Sequence, residues 1–166
     1  IAYDPYISTE MAANLNVELV SLETLYSRAA FITVHLPLTE ETSRFINADA
    51  LASMKPGVRL ISCARGGIID QTALLAALDS GHVAGAALDV FEKEPVPPDS
   101  PLLRHPKVIM TPHIAGSTTE AQDQVAVDVA EQVVDVLSGR PARYAVNAPL
   151  MAPRDLPFLT PFLDLA

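Results

Sequence analysis

The sequence predicts an α/β protein built on a doubly wound parallel sheet, and three observations carry that prediction. Short apolar runs recur at Phe31 to Leu36, Val58 to Ser62, Val83 to Leu88 and Val108 to Thr111. Between the first three lie helical stretches of about ten residues, each with its own start and stop signals. Strands alternating with helices of that length imply βαβ units, hence parallel strands covered by helices on both faces. The chain has 166 residues, 49% hydrophobic and 19% charged. That is enough for one ordinary core and too little for two comfortable domains.

In chain order, Ile1-Ala2-Tyr3 reads as the end of a strand that breaks at Asp4-Pro5, so the chain is expected to begin inside its domain. Val17 to Val20 is a second short apolar run, and Ser21 can cap a short helix through Arg28. Phe31 to Leu36 is β-branched and dense enough for a buried strand. Asn47 caps a helix over Ala48 to Met54 that Pro56-Gly57 ends, and Val58 to Ser62 is the next strand. Asp70 caps a helix carrying Leu74, Leu75 and Leu78, with Gly81 at its exit. Val83 to Leu88 and Val108 to Thr111 complete the strands, and the four prolines of Pro95 to Pro101 mark a loop between them. Ser117-Thr118-Thr119-Glu120 has capping-box spacing and opens the longest helix, with Ala121, Val125, Val129, Val133 and Val136 on one face until Gly139 and Pro141. Ala142 to Ala166 holds four more prolines and reads as a linker.

Composition excludes several classes of function. With 11 Lys and Arg against 20 Asp and Glu the formal charge is −9, which argues against nucleic-acid partners and an anionic membrane surface. An anionic ligand must then be held by a few local cations. No apolar run approaches the length of a membrane span and no basic leader opens the sequence, so neither a span nor a signal peptide is expected and a cytoplasmic location fits. The single cysteine, Cys63, excludes a disulfide within the chain, and no His or Cys pair has metal-ligand spacing, so no metal is expected. The absence of Trp and the 5% aromatic content argue against a stacking platform for single strands.

In a parallel sheet, ligands gather at the carboxyl ends of the strands. Asp4 ends the first, where a carboxylate either accepts hydrogen bonds from an adenosine ribose or makes an ordinary Asp-Pro turn. In the ribose reading the phosphate-binding glycine turn lies upstream, and the chain is a truncated dinucleotide domain. Arg65 follows Val58 to Ser62 directly, next to Gly66-Gly67; it is a planar fork for a carboxylate or a surface arginine beside a flexible turn. Asp89 ends Val83 to Leu88, with Glu92 and Glu94 close behind, and His113 follows Val108 to Thr111 beside a helix start. Each alone has a structural reading. Their coincidence at three successive strand ends is what a sheet would assemble into a catalytic group. His35 either lines a cleft or satisfies a carbonyl, while His82 and His105 occupy turn and loop positions. Cys63 reads as a small buried hydrophobe beside the ligand, with no motif that makes it a nucleophile.

VHLPLTEET at Val34 to Thr42, LASMKPG at Leu51 to Gly57, SCARGGIID at Ser62 to Asp70, AGAALDVFEKEP at Ala84 to Pro95 and MTPHIAGSTTEAQ at Met110 to Gln122 together resemble the D-isomer-specific 2-hydroxyacid dehydrogenases. The order and spacing hold from residue 1 to about residue 147. The resemblance implies a Rossmann-like domain that binds NAD, truncated at its N-terminus. It assigns residues 1–116 to that partial domain, 117–147 to a helix and exit segment returning toward a substrate domain, and 148–166 to a linker into a further C-terminal region. It makes Arg65 the residue that orients the substrate carboxylate and carbonyl, His113 the acid/base, and Glu94, which immediately precedes Pro95, its carboxylate partner. Asp4 would hold the ribose and Asp89 would meet the nicotinamide carboxamide. Cys63, Ala64, Arg65, His113, Ala115 and Gly116 would line the cofactor, with Leu36 and Thr42 contributing from the preceding loop, Leu36 by backbone or packing. The implied substrate is a small 2-hydroxy acid, by the look of the tail the phosphorylated one oxidised at the start of serine synthesis. A reductase of glyoxylate or hydroxypyruvate, and an NAD-sensing corepressor, are the alternatives. The complete protein is expected to be a homo-oligomer, and this chain alone is not expected to be a competent enzyme.

Overall fold

A computed structural model describes residues 1–141 and Phe158; apart from Phe158, the linker reading for Ala142 to Ala166 lies outside the described residues. The chain divides into two compact units, Ile1–Gly116 and Ser117–Ala166.

The first unit opens with α1 (Thr9–Asn14) and α2 (Leu22–Arg28) and continues as β1 (Phe31–Val34), α3 (Ala48–Ser53), β2 (Val58–Ser62), α4 (Gln71–Asp79), β3 (Val83–Leu88) and β4 (Val108–Met110). The helices start where a side chain can accept an otherwise orphaned amide. Ser21 accepts from Thr24 N–H, Asn47 from Ala50 and Asp70 from Ala73. The four strands are parallel and lie in the order β1-β2-β3-β4. Register aligns Ile32, Leu60, Ala86 and Val108 in one row and Val34, Ser62, Leu88 and Met110 in another. These rows face the core, where Tyr26 of α2, Leu51 of α3 and Leu74 and Leu78 of α4 join them.

The sheet bears out the predicted strands and their parallel pairing, but burial is one-sided. Strand β1 alternates exposed and buried residues, and Phe31 and Ile109 on the opposite face are 62% and 71% exposed. The order explains this. When successive strands are neighbours and each crossover is right-handed, consecutive helices fall on the same side, and α3 and α4 pack against each other. On the open face the Arg59 guanidinium lies 5.4 Å from the centre of the Phe31 ring.

Ile1 to Tyr3 forms no strand, only a single parallel bridge between Ala2 and Leu19. Helix α1 went unforeseen because a six-residue turn burying only Ala12 has no apolar stripe to read.

The second unit is represented by α5 (Thr119–Leu137). Its cap is Thr118, which accepts from Ala121 N–H, and not Ser117; the start lies one residue later than the capping-box spacing suggested. Glu120 then sits in the first turn, where its charge favours the helix dipole. None of the helix's residues is buried, and among the described residues no helix is long and apolar enough to cross a membrane.

Candidate functional site

Parallel pairing places the carboxyl ends of β1 to β4 along one edge, and backbone hydrogen bonds tie the segments that leave them. Asp89 N–H donates to Ser62 O at 2.9 Å, linking the exits of β2 and β3, and Thr111 N–H donates to Leu88 O at 3.0 Å, linking β3 and β4. Gly66 brings the Arg65 segment against the next one: a Cβ there would lie 1.8 Å from the Phe91 carbonyl oxygen. Only glycine permits that approach.

Glu94 and His113, 19 residues apart, meet at 2.7 Å between Oε2 and Nδ1. An ionised carboxylate only accepts, so Nδ1 donates and Nε2 is left to take up or release a proton. The other Glu94 oxygen, Oε1, accepts from Phe91 N–H at 2.9 Å, which fixes the carboxylate before it meets the ring. The His113 hydrogen bond, reinforced by the Phe91 amide, holds the Glu94 carboxyl below its ordinary range. The ring stays accessible, with the side chain 46% exposed. His113 has φ 56, an uncommon left-handed conformation for a residue with a side chain.

Glu92, two residues earlier, is committed elsewhere: its Oε1 accepts from Gln71 N–H at the start of α4, 3.1 Å away. Asp89 is 2% exposed. Its Oδ1 accepts from the Thr111 hydroxyl and from Ile114 N–H, and its Oδ2 from Ala115 N–H. Burial alone would raise its carboxyl, but the Thr111 hydroxyl, the two amides and the nearby His113 outweigh it and hold the group below the usual carboxylate range.

Arg65 is exposed on its loop, with Nη1 donating to the Ala64 carbonyl at 2.7 Å. Leu36 and Ala64 are half-buried against the core, so whatever they offer a ligand is packing and backbone. The Thr42 hydroxyl donates to Pro37 O at 2.6 Å and accepts from Thr39 N–H, which shapes its loop from within. Cys63 is exposed, not buried. Asp4 is exposed too, with Oδ1 accepting from Tyr6 N–H at 2.8 Å. A Cβ at Gly116 would meet nothing within 4 Å. The remaining histidines have local partners: Thr33 for His35, the Leu51 carbonyl for His82 and Asp79 for His105. Sequence reasoning missed Thr111 and the Phe91 amide, and it singled out Gly66 without the Phe91 segment that its backbone approaches; each matters through contacts between separate strand exits.

Three strand exits carry Arg65 after β2, Asp89 and Glu94 after β3, and His113 after β4, and a carboxylate holding one imidazole nitrogen is an arrangement able to transfer a proton at the other. The profile described as D-isomer specific 2-hydroxyacid dehydrogenase, NAD binding domain, matches residues 1–115. The chain belongs to this family. Among its dehydrogenase relatives, D-3-phosphoglycerate dehydrogenase of Synechocystis sp. is 53% identical over 166 residues, all of this chain and 30% of that protein. The enzyme of the same name from Archaeoglobus fulgidus is 49% identical, again over the whole chain and over 32% of its own length. The chain thus spans about a third of these relatives. The apo structure of D-mandelate dehydrogenase from Rhodotorula graminis superposes with a TM-score of 0.74 at 34% identity, over 91% of this chain and 44% of that one.

Proposed function

We propose that the complete protein carrying this chain oxidises D-3-phosphoglycerate to 3-phosphohydroxypyruvate with NAD, the reaction that opens L-serine synthesis. The observation that carries the reading is the Glu94–His113 pair at 2.7 Å, standing among the strand exits that also bear Arg65 and Asp89. In this reading Nε2 of His113 takes the substrate hydroxyl proton in oxidation and returns it to the carbonyl oxygen in reduction. The Arg65 guanidinium grips the substrate carboxylate and faces the charge that develops on the oxygen. Glu94 fixes the ring and balances the imidazolium.

The residues present fit NAD. Asp4 keeps Oδ2 available beside an Oδ1 already held by Tyr6 N–H, which suits the two hydroxyls of a ribose. Cys63, Ala64, Ala115 and Gly116 would border the remainder, Leu36 and Thr42 would shape its loop, and Asp89 would lie toward the nicotinamide. When bound, NAD supplies the acceptor for the hydride that leaves the substrate carbon.

The same reading takes residues 117–147 toward a substrate domain and 148–166 into a further region. It places the protein in the cytoplasm as a homo-oligomer, which sedimentation of the complete protein would test. Steady-state assay of that protein with D-3-phosphoglycerate, hydroxypyruvate, glyoxylate and 2-oxoglutarate tests the substrate. The highest kcat/KM in the 3-phosphoglycerate couple is expected; a higher value for glyoxylate or hydroxypyruvate would make it a reductase, and no turnover of any would favour an NAD-sensing scaffold.

A further inference from the structure

Three donors from a single five-residue turn converge on Asp89: the Thr111 hydroxyl and the amides of Ile114 and Ala115, the latter two at 2.9 Å. The turn they bracket presents His113 in its left-handed conformation. Asp89 is itself anchored to the exit of β2 through its amide and Ser62 O. A carboxylate offers about four acceptor positions, so most of this one's capacity faces the histidine turn, and its burial limits what it presents outward.

We propose that Asp89 is a positioning residue for the acid/base, its carboxylate holding the Thr111–Ala115 turn so that Nδ1 of His113 meets Glu94, with Thr111 as its side-chain partner in that task. The proposal rests on the reading of His113 as the proton carrier, and it differs from the role that family resemblance implies, a contact to the nicotinamide carboxamide. The two roles separate kinetically. A turn that loses its anchor misplaces His113 and lowers kcat, whereas a lost cofactor contact raises the KM for NAD.

Asn in place of Asp89 keeps the shape but puts an NH₂ group where one acceptor stood, so one of the donors faces another donor. Loss of a hydrogen bond to a charged group is expected to lower kcat of the complete protein by roughly 10- to 100-fold for Asp89→Asn, with the KM for NAD within about threefold of the parent. Hydrogen exchange at the Ile114 and Ala115 amides should quicken by a comparable factor, on the order of 10- to 100-fold, without NAD or substrate present. Thr111→Val should lower kcat in the same sense, and Thr111→Ser should restore it; this pair decides the matter if Asp89→Asn does not fold. A raised KM for NAD with unchanged kcat, or exchange at Ile114 and Ala115 unaltered in both Asp89→Asn and Thr111→Val, would overturn the proposal. His113→Ala is assayed alongside. If it stays active in both directions, the acid/base reading fails and the proposal falls with it; if it is inactive while the Asp89 and Thr111 variants keep full kcat, only the proposal fails.

Discussion

At the scale of single residues, the behaviour of the site depends on which lone pairs are already taken. Glu94 has one oxygen on Phe91 N–H and one on His113, so its negative charge is fixed beside the ring. Replacing His113 by Ala should lower kcat/KM in both directions by roughly 10²- to 10⁴-fold, the usual worth of a general acid/base. A depressed carboxyl such as Glu94 contributes stability that is present above its unfolded value and lost as pH falls through its folded value. Carboxyl NMR should therefore find Glu94 protonating below the ordinary value of about 4.3, and Glu94 titrating at or above that value would show that the pair is not formed. Asp4 bears on cofactor choice. A carboxylate repels a 2′-phosphate, and Pro5 and Tyr6 supply no cation to receive one. The kcat/KM for NAD should exceed that for NADP, and Asp4→Ala should narrow the ratio; equal or better use of NADP by the parent protein would contradict this assignment.

At the scale of elements, the exits of the strands are shaped by close backbone approach and by caps. Gly66→Ala forces a Cβ onto the Phe91 carbonyl, so it should cost at least the roughly 1–3 kcal/mol of an overpacked site and disturb Arg65 and Glu94 together. Asp70→Ala removes the cap of α4 and should cost about 1 kcal/mol. Urea midpoints check both, and a Gly66→Ala protein as stable as its parent would mean that the two loops move apart freely. The helices starting after Ser21, Asn47 and Asp70 were legible in the sequence because a cap and an apolar repeat are local signals. The start of α5 was displaced by one residue because Ser117 and Thr118 are equally good caps. Arg65, Asp89 and His113 were legible as site candidates because each directly follows a strand-like run. The grip of Asp89 on Thr111, Ile114 and Ala115, and the commitment of Glu92 to Gln71, were not, since both depend on which turns the folded sheet brings together.

At the scale of the whole molecule, the first unit carries its core on one covered sheet face and the proposed site along one edge of strand exits. Leu60 lies fully buried in the middle of the sheet, so Leu60→Ala should cost about 2–5 kcal/mol, whereas Ile109→Thr on the open face should change stability by less than about 0.5 kcal/mol; similar losses at both would contradict the one-sided burial. The most direct test of the central claim, that Glu94 and His113 act as one proton-transfer unit, is kcat/KM in both directions for Glu94→Gln, His113→Ala and the double variant of the complete protein. Each single substitution removes the 2.7 Å contact, so the losses should not multiply, and the double variant should be about as slow as His113→Ala alone. Losses that multiply as for independent residues would contradict a single unit.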